Sequence, residues 1–362
     1  MRSNFWKNKR VFITGHTGFK GSWLVLILKN LGAKITGYAL DPISKPNFFD
    51  DLNLSKYLEK DYRKDIKNFN DLNKAIKKAK PTIIFHMAAQ SSVLVSYKNP
   101  LNTVDTNIIG TFNVLKAIEL NKTLKSAIIV TTDKVYLNED KKINFSESSK
   151  LGGYDIYSSS KACCEILTDS FRNSFINSRK CRIATVRSGN CIGGGDWTDD
   201  RIVKDCVESF INNKKLSIRS PNATRPWQHV IEPLHGYLRL VEKLNSKNGY
   251  KYIGSWNFGP SKVNLSVLNL AKLGKKILNS KSKIIINKTK FKNKHEAKYL
   301  SLNSSKSLKY LKWKVYMSPE KSLNLTFNWF KCFYLKRRKE KNEVINFSIE
   351  QIQNFQKLIK YF

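Results

Sequence analysis

The stretch RVFITGHTGFKG (Arg10–Gly21) runs an apolar, strand-like segment, Arg10–Thr14, straight into glycines at 15, 18 and 21. A helical pattern, Ser22–Leu31, follows at once. Glycines let a backbone turn sharply and approach a pyrophosphate closely, and a helix N-terminus offers free N–H groups and a positive dipole to phosphates. A glycine trio alone is weak evidence; its place between a strand and a helix makes it a dinucleotide fingerprint. Gly32 ends the helix, because glycine tolerates the left-handed conformation at that position.

Outward from this stretch, strand and helix patterns alternate. Lys34–Leu40, Thr82–His86, Ser126–Thr131 and Arg182–Arg187 read as strands, with a more polar one ending before Asp65. Asn70–Lys80, Leu101–Leu120 and Ile156–Phe175 read as helices. Strands separated by helices imply right-handed βαβ units and a parallel sheet covered on both faces. The fold class expected is α/β, a Rossmann-type doubly wound parallel sheet over residues 1–190. After residue 190, loops rich in Gly, Asn, Arg and Pro (Gly193–Asp200, Arg219–Pro226, Asn257–Pro260) alternate with helical patterns at Pro233–Leu244 and Leu265–Leu278. Residues 191–335 are expected to form mainly a smaller substrate lobe, with some segments returning to the sheet. Residues 336–362 are expected to hold a linker and a terminal helix. The charge-rich Phe330–Asn342 reads as the linker and Ser348–Tyr361 as the amphipathic helix.

Asp41 closes the second strand 20 residues beyond Gly21. A carboxylate there accepts hydrogen bonds from a ribose 2′-hydroxyl and repels a 2′-phosphate, which favours NAD over NADP. Asp65, where a third strand should end, reads either as the acceptor for the adenine amine or as a solvated loop acid. In such sheets the carboxyl ends of the strands form the binding crevice, so Thr132, Asp133 and Lys134 are expected to face it. Tyr157 and Lys161, four residues apart, share one helical face. A nearby ammonium lowers a phenol's pKa from about 10 and fits it to take a proton from a sugar hydroxyl as hydride leaves the carbon.

GHTGFKG (Gly15–Gly21) and the Tyr157–Lys161 pair resemble the extended short-chain dehydrogenase/reductase superfamily, as do HMAAQ (His86–Gln90) and TNIIGT (Thr106–Thr111). More specific stretches, among them GHTGFKGSWL (Gly15–Leu24), LGGYDIYSSSKA (Leu151–Ala162), GNCIGGGDW (Gly189–Trp197), RPWQHVIEPLHGYL (Arg225–Leu238) and HEAKYLSLNSSK (His295–Lys306), resemble the CDP-glucose branch of the nucleotide-sugar 4,6-dehydratases. The resemblance implies NAD held by Gly15, Thr17, Gly18, Phe19, Lys20, Gly21, Asp41, Asp65, Ile66, Ala88, Ala89, Gln90, Asn107, Tyr157 and Lys161. It implies a nucleotide-sugar substrate, CDP-glucose, bound by Asn190, Arg201 and Arg225, with Trp227 and His229 shaping the pocket or packing beneath it. It also implies catalysis by Thr132, Asp133, Lys134, Tyr157 and Lys161. The sugar is oxidised at C4, loses water across C5 and C6, and takes hydride back at C6, feeding deoxysugar synthesis for cell-surface polysaccharide. Asp133 is the acid for the leaving oxygen. Where most such dehydratases carry a glutamate base, this chain has Lys134, which acts either as the C5 base or as a charge partner. Alternatives are a sugar-nucleotide 4-epimerase, a dehydratase for another nucleotide sugar, or a non-catalytic NAD-sensing or RNA-binding protein.

The formal charge of +37 comes from 65 Lys and Arg against 28 Asp and Glu. The lysines are spread along most of the chain, which reads as a solvated surface that steers anionic substrates rather than as a specific nucleic-acid site. Hydrophobic residues make up 41%, and no run reaches the about 20 apolar residues that span a bilayer. The expectation is a cytoplasmic homodimer, or higher homo-oligomer, with no membrane partner and no metal. Its six cysteines form no C-x-x-C pair, so reduced thiols are expected.

Overall fold

The computed structural model describes residues 3–140, 142–177, 179–260, 265–287, 299–336 and 341–360. Seven strands form one parallel sheet: β1 Arg10–Thr14, β2 Lys34–Ala39, β3 Lys60–Arg63, β4 Ile83–His86, β5 Ser126–Val130, β6 Arg182–Ser188 and β7 Gly254–Phe258. Their spatial order is β7-β6-β5-β4-β1-β2-β3. Val11 pairs with Ile35 on one side and Ile83 on the other, so the chain reverses its direction of winding at β1. A crevice opens at such a switch point, beyond the carboxyl ends of the strands.

The inner strands are largely apolar because both faces are covered, whereas the edge strand β3 is polar. Side chains alternate between two cores. Val11, Ile13, Ile83, Phe85, Ile128 and Val130 meet one, with α1 (Phe19–Asn30). Phe12, Ile84, Ala127 and Ile129 meet the other, with α2 (Phe69–Ala79), α3 (Gly110–Leu120) and α4 (Ile156–Phe175). Beyond β6 come α5 (Ile202–Ile211), α6 (Ile231–Leu244), α7 (Val267–Ile277), α8 (Pro319–Lys336) and α9 (Lys341–Lys360). Among the described residues no helix is long and apolar enough to cross a membrane.

The doubly wound α/β fold expected from the sequence is what the chain adopts, and the five expected apolar strands end within one residue of their predicted bounds. Five readings change. First, α1 begins at Phe19, because Phe19, Lys20 and Gly21 already form its first turn, with Gly18 as N-cap. Second, the helix expected over 101–120 is interrupted: Pro100–Val104 passes through a π-helical turn, Asp105–Ile109, before α3. Third, Asn257 and Phe258, read as loop, lie in β7, which pairs with β6. Fourth, the charge-rich segment read as a linker from Phe330 is helical through Lys336, since Phe327, Trp329, Phe330 and Phe333 are buried and anchor α8 to the core. Fifth, the helix expected over 348–361 extends back to Lys341. Residues 337–340 of that linker, Tyr361 of the terminal helix, and the stretch from His295 to Lys298 lie outside the described residues.

Candidate functional site

A cleft of about 970 Å³ runs along the carboxyl ends of the strands and between segments that follow β6. Gly15 holds φ at +75°, and a Cβ there would stand 2.6 Å from the Ala88 nitrogen. A Cβ on Gly21 would stand 2.1 Å from the Gly15 carbonyl oxygen. No side chain caps α1 at Gly18, so its first N–H groups are open to the cleft. The loop is braced from beneath: His16 Nε2 is hydrogen-bonded to Asp61 Oδ1 at 2.8 Å, and the Thr17 hydroxyl donates to the Leu40 carbonyl at 2.9 Å. Burial works to raise the Asp61 pKa, but hydrogen bonds from His16 and Arg63 pull it below the usual carboxylate value.

Gly15, Thr17, Gly18, Phe19, Lys20, Gly21, Asp41, Asp65, Ile66, Ala88 and Ala89 all line the cleft. Asp41 is exposed and pairs with Arg63 at 3.1 Å. Arg63 also binds Asp61 at 2.9 Å and lies 3.8 Å from Asp50, so its charge is already matched by carboxylates. Asp65 accepts from the Lys67 backbone N–H at 2.9 Å, which uses one carboxylate oxygen to shape its own turn.

Gln90 and Asn107, also expected at the cofactor, sit just behind the residues that line the cleft. Asn107 is buried in the π-helical turn, accepting from the Gln90 N–H at 2.9 Å and donating to the Gln90 carbonyl at 3.1 Å and Ser160 Oγ at 2.9 Å. The Gln90 amide donates to Ser92 O and Thr103 Oγ1. Both residues therefore fix the Ala88–Ala89 wall from behind.

At the end of β5 the chain makes a short 3₁₀ turn, Asp133–Val135, capped by Thr132. The Thr132 hydroxyl donates to Asp133 Oδ1 at 3.0 Å and is in hydrogen-bonding reach of Tyr157. Tyr157, Thr132 and Asp133 thus form one row of coupled groups. The other Asp133 oxygen, Oδ2, is buried without a partner, and Lys134 Nζ sits 3.8 Å from Oδ1. Burial raises the Tyr157 pKa, against the opposing pull of Thr132, Arg201 and Lys20.

Lys161, expected to act with Tyr157 and on the cofactor, lines the same cleft as Tyr157. Its ammonium donates to the Val130 carbonyl at 2.9 Å, and burial lowers its pKa. Lys20, expected from the sequence as a cofactor contact, is also a charge that favours the Tyr157 phenolate, after Thr132 and Arg201. Lys20 Nζ donates to Ser188 Oγ at 2.7 Å, which also accepts from the Tyr237 hydroxyl at 2.9 Å. Burial works against the Lys20 ammonium, but the acidic groups of Cys191, Tyr237 and Tyr157 hold its proton above the ordinary lysine range. Sequence reasoning missed Ser188 and Tyr237. Ser188 carried a signal, as the last residue of a strand whose end meets the crevice; Tyr237, in mid-helix, carried none.

Behind this row lies a buried ion pair. Glu165 accepts from Arg187 Nε at 2.9 Å and Nη2 at 2.8 Å, and from the hydroxyls of Thr131 and Thr185. On the lobe side, Asn190, Arg201 and Arg225 line the cleft. Trp227 lines it as well, with its indole donating to the Leu265 carbonyl at 3.3 Å. His229 is wholly buried edge-on to Trp23 and packs rather than binds. Among the described residues no group of three or more His, Cys, Asp or Glu is arranged to hold a metal ion.

Residues 12–326 match the family described as GDP-mannose 4,6 dehydratase. The chain belongs to that family. Within and around this dehydratase family, it is 40% identical over 338 residues to the CDP-glucose 4,6-dehydratase of Salmonella typhimurium, covering 91% of this chain and 92% of that one. It is 26% identical to a dTDP-D-glucose 4,6-dehydratase of Dictyostelium discoideum over 73% of this chain. The solved UDP-glucose 4-epimerase of Thermotoga maritima superposes with a TM-score of 0.77 at 22% identity, over 90% of this chain and 99% of that one, and shares the fold. The dehydratase family and the nucleotide-sugar fold read from the sequence motifs both hold.

Proposed function

We propose that the protein is an NAD-dependent lyase that converts CDP-D-glucose to CDP-4-dehydro-6-deoxy-D-glucose. The observation that carries this reading is the row Tyr157, Thr132 and Asp133 in one cleft, with Asp133 Oδ2 buried and unpartnered. A 4-epimerase has no water to eliminate, so it has no use for an acid held in that position. The 40% identity to a CDP-glucose 4,6-dehydratase over nearly the whole of both chains supports the substrate.

The cradle fits a dinucleotide. It has two glycines whose Cβ atoms would strike backbone, an uncapped helix N-terminus, and Asp41 at the end of β2 where a ribose would lie. Arg63 is already matched by three carboxylates and offers no fresh charge for a 2′-phosphate, which supports NAD. Bound NAD supplies the acceptor, and later the donor, of hydride.

The chain's own residues do the proton work. Tyr157 takes the C4 hydroxyl proton. Burial opposes the phenolate this requires, so Thr132, Arg201 and Lys20 are the groups that favour it. Thr132 steadies the C4 oxygen. Lys134 removes the C5 proton made acidic by the C4 ketone, and Asp133 protonates the departing C6 hydroxyl. Asn190, Arg201 and Arg225 hold the pyrophosphate, the arginines through charge-assisted hydrogen bonds.

Exposed apolar side chains line the outer helices, Ile109 and Phe112 before and in α3, Ile166 and Phe175 in α4. They form the surface of a homodimer built from these helices. The six cysteines are free, which suits the cytoplasm. The deciding experiment offers CDP-, dTDP-, GDP- and UDP-glucose and identifies the product. A 4-keto-6-deoxy sugar from CDP-glucose is expected, and a C4 epimer or no product from any of the four would overturn the reading.

A further inference from the structure

We infer that Asp205 selects the base of the nucleotide, accepting a hydrogen bond from the exocyclic amine of a cytosine ring. The inference rests on the CDP-glucose reading and deepens it.

Asp205 sits in α5, one turn beyond Arg201, and lines the same cleft as Val203, Ser217 and Arg219. These residues belong to the lobe after β6. The sugar chemistry is at the other side, where Tyr157 and Asp133 project from the Rossmann sheet. The base of a nucleotide whose sugar lies against Tyr157 and whose phosphates meet Arg201 therefore falls in the lobe.

The carboxylate there is unusual in being uncommitted. Its neighbour Lys204 is held by Asp199 at 2.8 Å and Glu208 at 3.2 Å. Among the described residues no hydrogen bond or ion pair engages the Asp205 side chain, and the residue is half-buried and lines the cleft. Burial raises its pKa, against the pull of Lys204 and Arg219. A partly desolvated carboxylate with no donor is a cost to the free protein, removed when a ligand brings an N–H.

An ionised carboxylate only accepts hydrogen bonds. Cytosine offers an amine at N4, whereas thymine offers a carbonyl oxygen at the corresponding place, as uracil does. Asp205 therefore attracts cytosine and repels uracil and thymine. Arg219, close enough to act on Asp205, offsets the charge.

The test compares the full-length, NAD-loaded protein with its Asp205→Asn variant. An asparagine amide can turn its nitrogen to a uracil carbonyl, so it removes the discrimination without removing the side chain. Calorimetry with CDP and with UDP reads base selection directly, and KM for CDP-glucose and UDP-glucose reads it in turnover. The preference of the parent for CDP is expected to fall about 100-fold in the variant, in Kd and KM. A preference unchanged within about threefold would overturn the inference. Should the Asn variant not fold, Asp205→Ser is read in the same way.

The two readings fail separately. A parent that binds CDP over UDP and loses that preference at Asp205→Asn, yet turns over no CDP-glucose, refutes the activity and keeps the base reader. Turnover of CDP-glucose with an unaltered base preference in the variant does the reverse. A parent that binds GDP in preference to CDP refutes the cytosine assignment.

Discussion

Replacing Glu165 with Gln leaves Arg187 charged and nine-tenths or more hidden from water. Both side chains are under 5% exposed, and two of the guanidinium nitrogens donate to the carboxylate. Breaking one side of a buried pair of this kind costs about 3–5 kcal/mol. The amide also cannot accept from Thr131, Thr185 and both Arg187 nitrogens at once. A chain of 362 residues unfolds with an entropy of about 0.8 kcal/mol/K near the midpoint, so the expected fall in Tm is about 4–7 °C. The damage also reaches the cleft, because Thr131 precedes Thr132 and its hydroxyl donates to Glu165. Differential scanning calorimetry of the ligand-free protein measures the shift. The double replacement Glu165→Met with Arg187→Met removes both charges and is expected to recover at least about half of the loss. A single variant melting within about 1 °C of the parent, or a double no better than the single, would show that the pair is not the strut described here.

Tyr157→Phe is expected to lower C4 oxidation by about 100- to 10,000-fold, read as loss of the transient reduced-cofactor absorbance in single turnover, with CDP binding kept. Asp133→Asn is expected to spare that absorbance change while slowing water loss, so that 4-keto-glucose accumulates; equal losses in both half-reactions would contradict the assigned role. Acid is expected to destabilise the fold. Burial pushes His86 and His229 down to about 3 and His235 well below 6.5, so the unfolded chain takes up three protons that the fold refuses as pH falls through 6.5. Burial pushes Glu232 up to about 7 from 4.5, so there the fold holds one proton that the unfolded chain lacks. The net two protons give a loss of about 3 kcal/mol per pH unit between 6 and 5, checked by urea titration; a flat profile would refute the neutral buried histidines. Phe112→Glu is expected to turn the proposed homodimer into monomers in light scattering at micromolar concentration, with the circular dichroism spectrum unchanged.

Much of the sheet is legible in the sequence because each inner strand is buried on both faces, which leaves an unbroken apolar run in the chain. The polar β3, at the edge, and β7, after a long excursion through the lobe, lack that mark. The aromatic residues of α8 are spaced for one buried helical face, but the lysines and arginines that follow them give the segment the composition of a linker. In the site, motifs reveal which residues enter the cleft but not where long side chains end. Tyr157 and Lys161 share a helical face, yet the Lys161 ammonium is drawn to the Val130 carbonyl, a backbone group that no spacing rule names. The charge of Lys20 acts on Tyr157 from a different element, and Asn107 is bonded to the backbone of Gln90, which spacing does not reveal either. Contacts that depend on the meeting of separate segments are invisible until those segments are placed.

The floor beneath the loop that follows β6 comes from the end of the chain. A Cβ on Gly194 would stand 2.0 Å from the Trp329 ring, the Gly194 carbonyl accepts from the Trp23 indole at 2.9 Å, and the Trp329 indole is held by Ser348 of α9 at 2.7 Å. Trp329 and Ser348 lie beyond residue 326, where the match to the family stops. A ribosome making this protein delivers the fingerprint long before the tryptophan and the serine. Until both have been added, the loop after β6 lacks the ring packed against Gly194. A chain terminated before Trp329 would therefore lose packing on both sides of the cleft at once, at Phe48 beside the cradle and at Gly194 in the loop after β6.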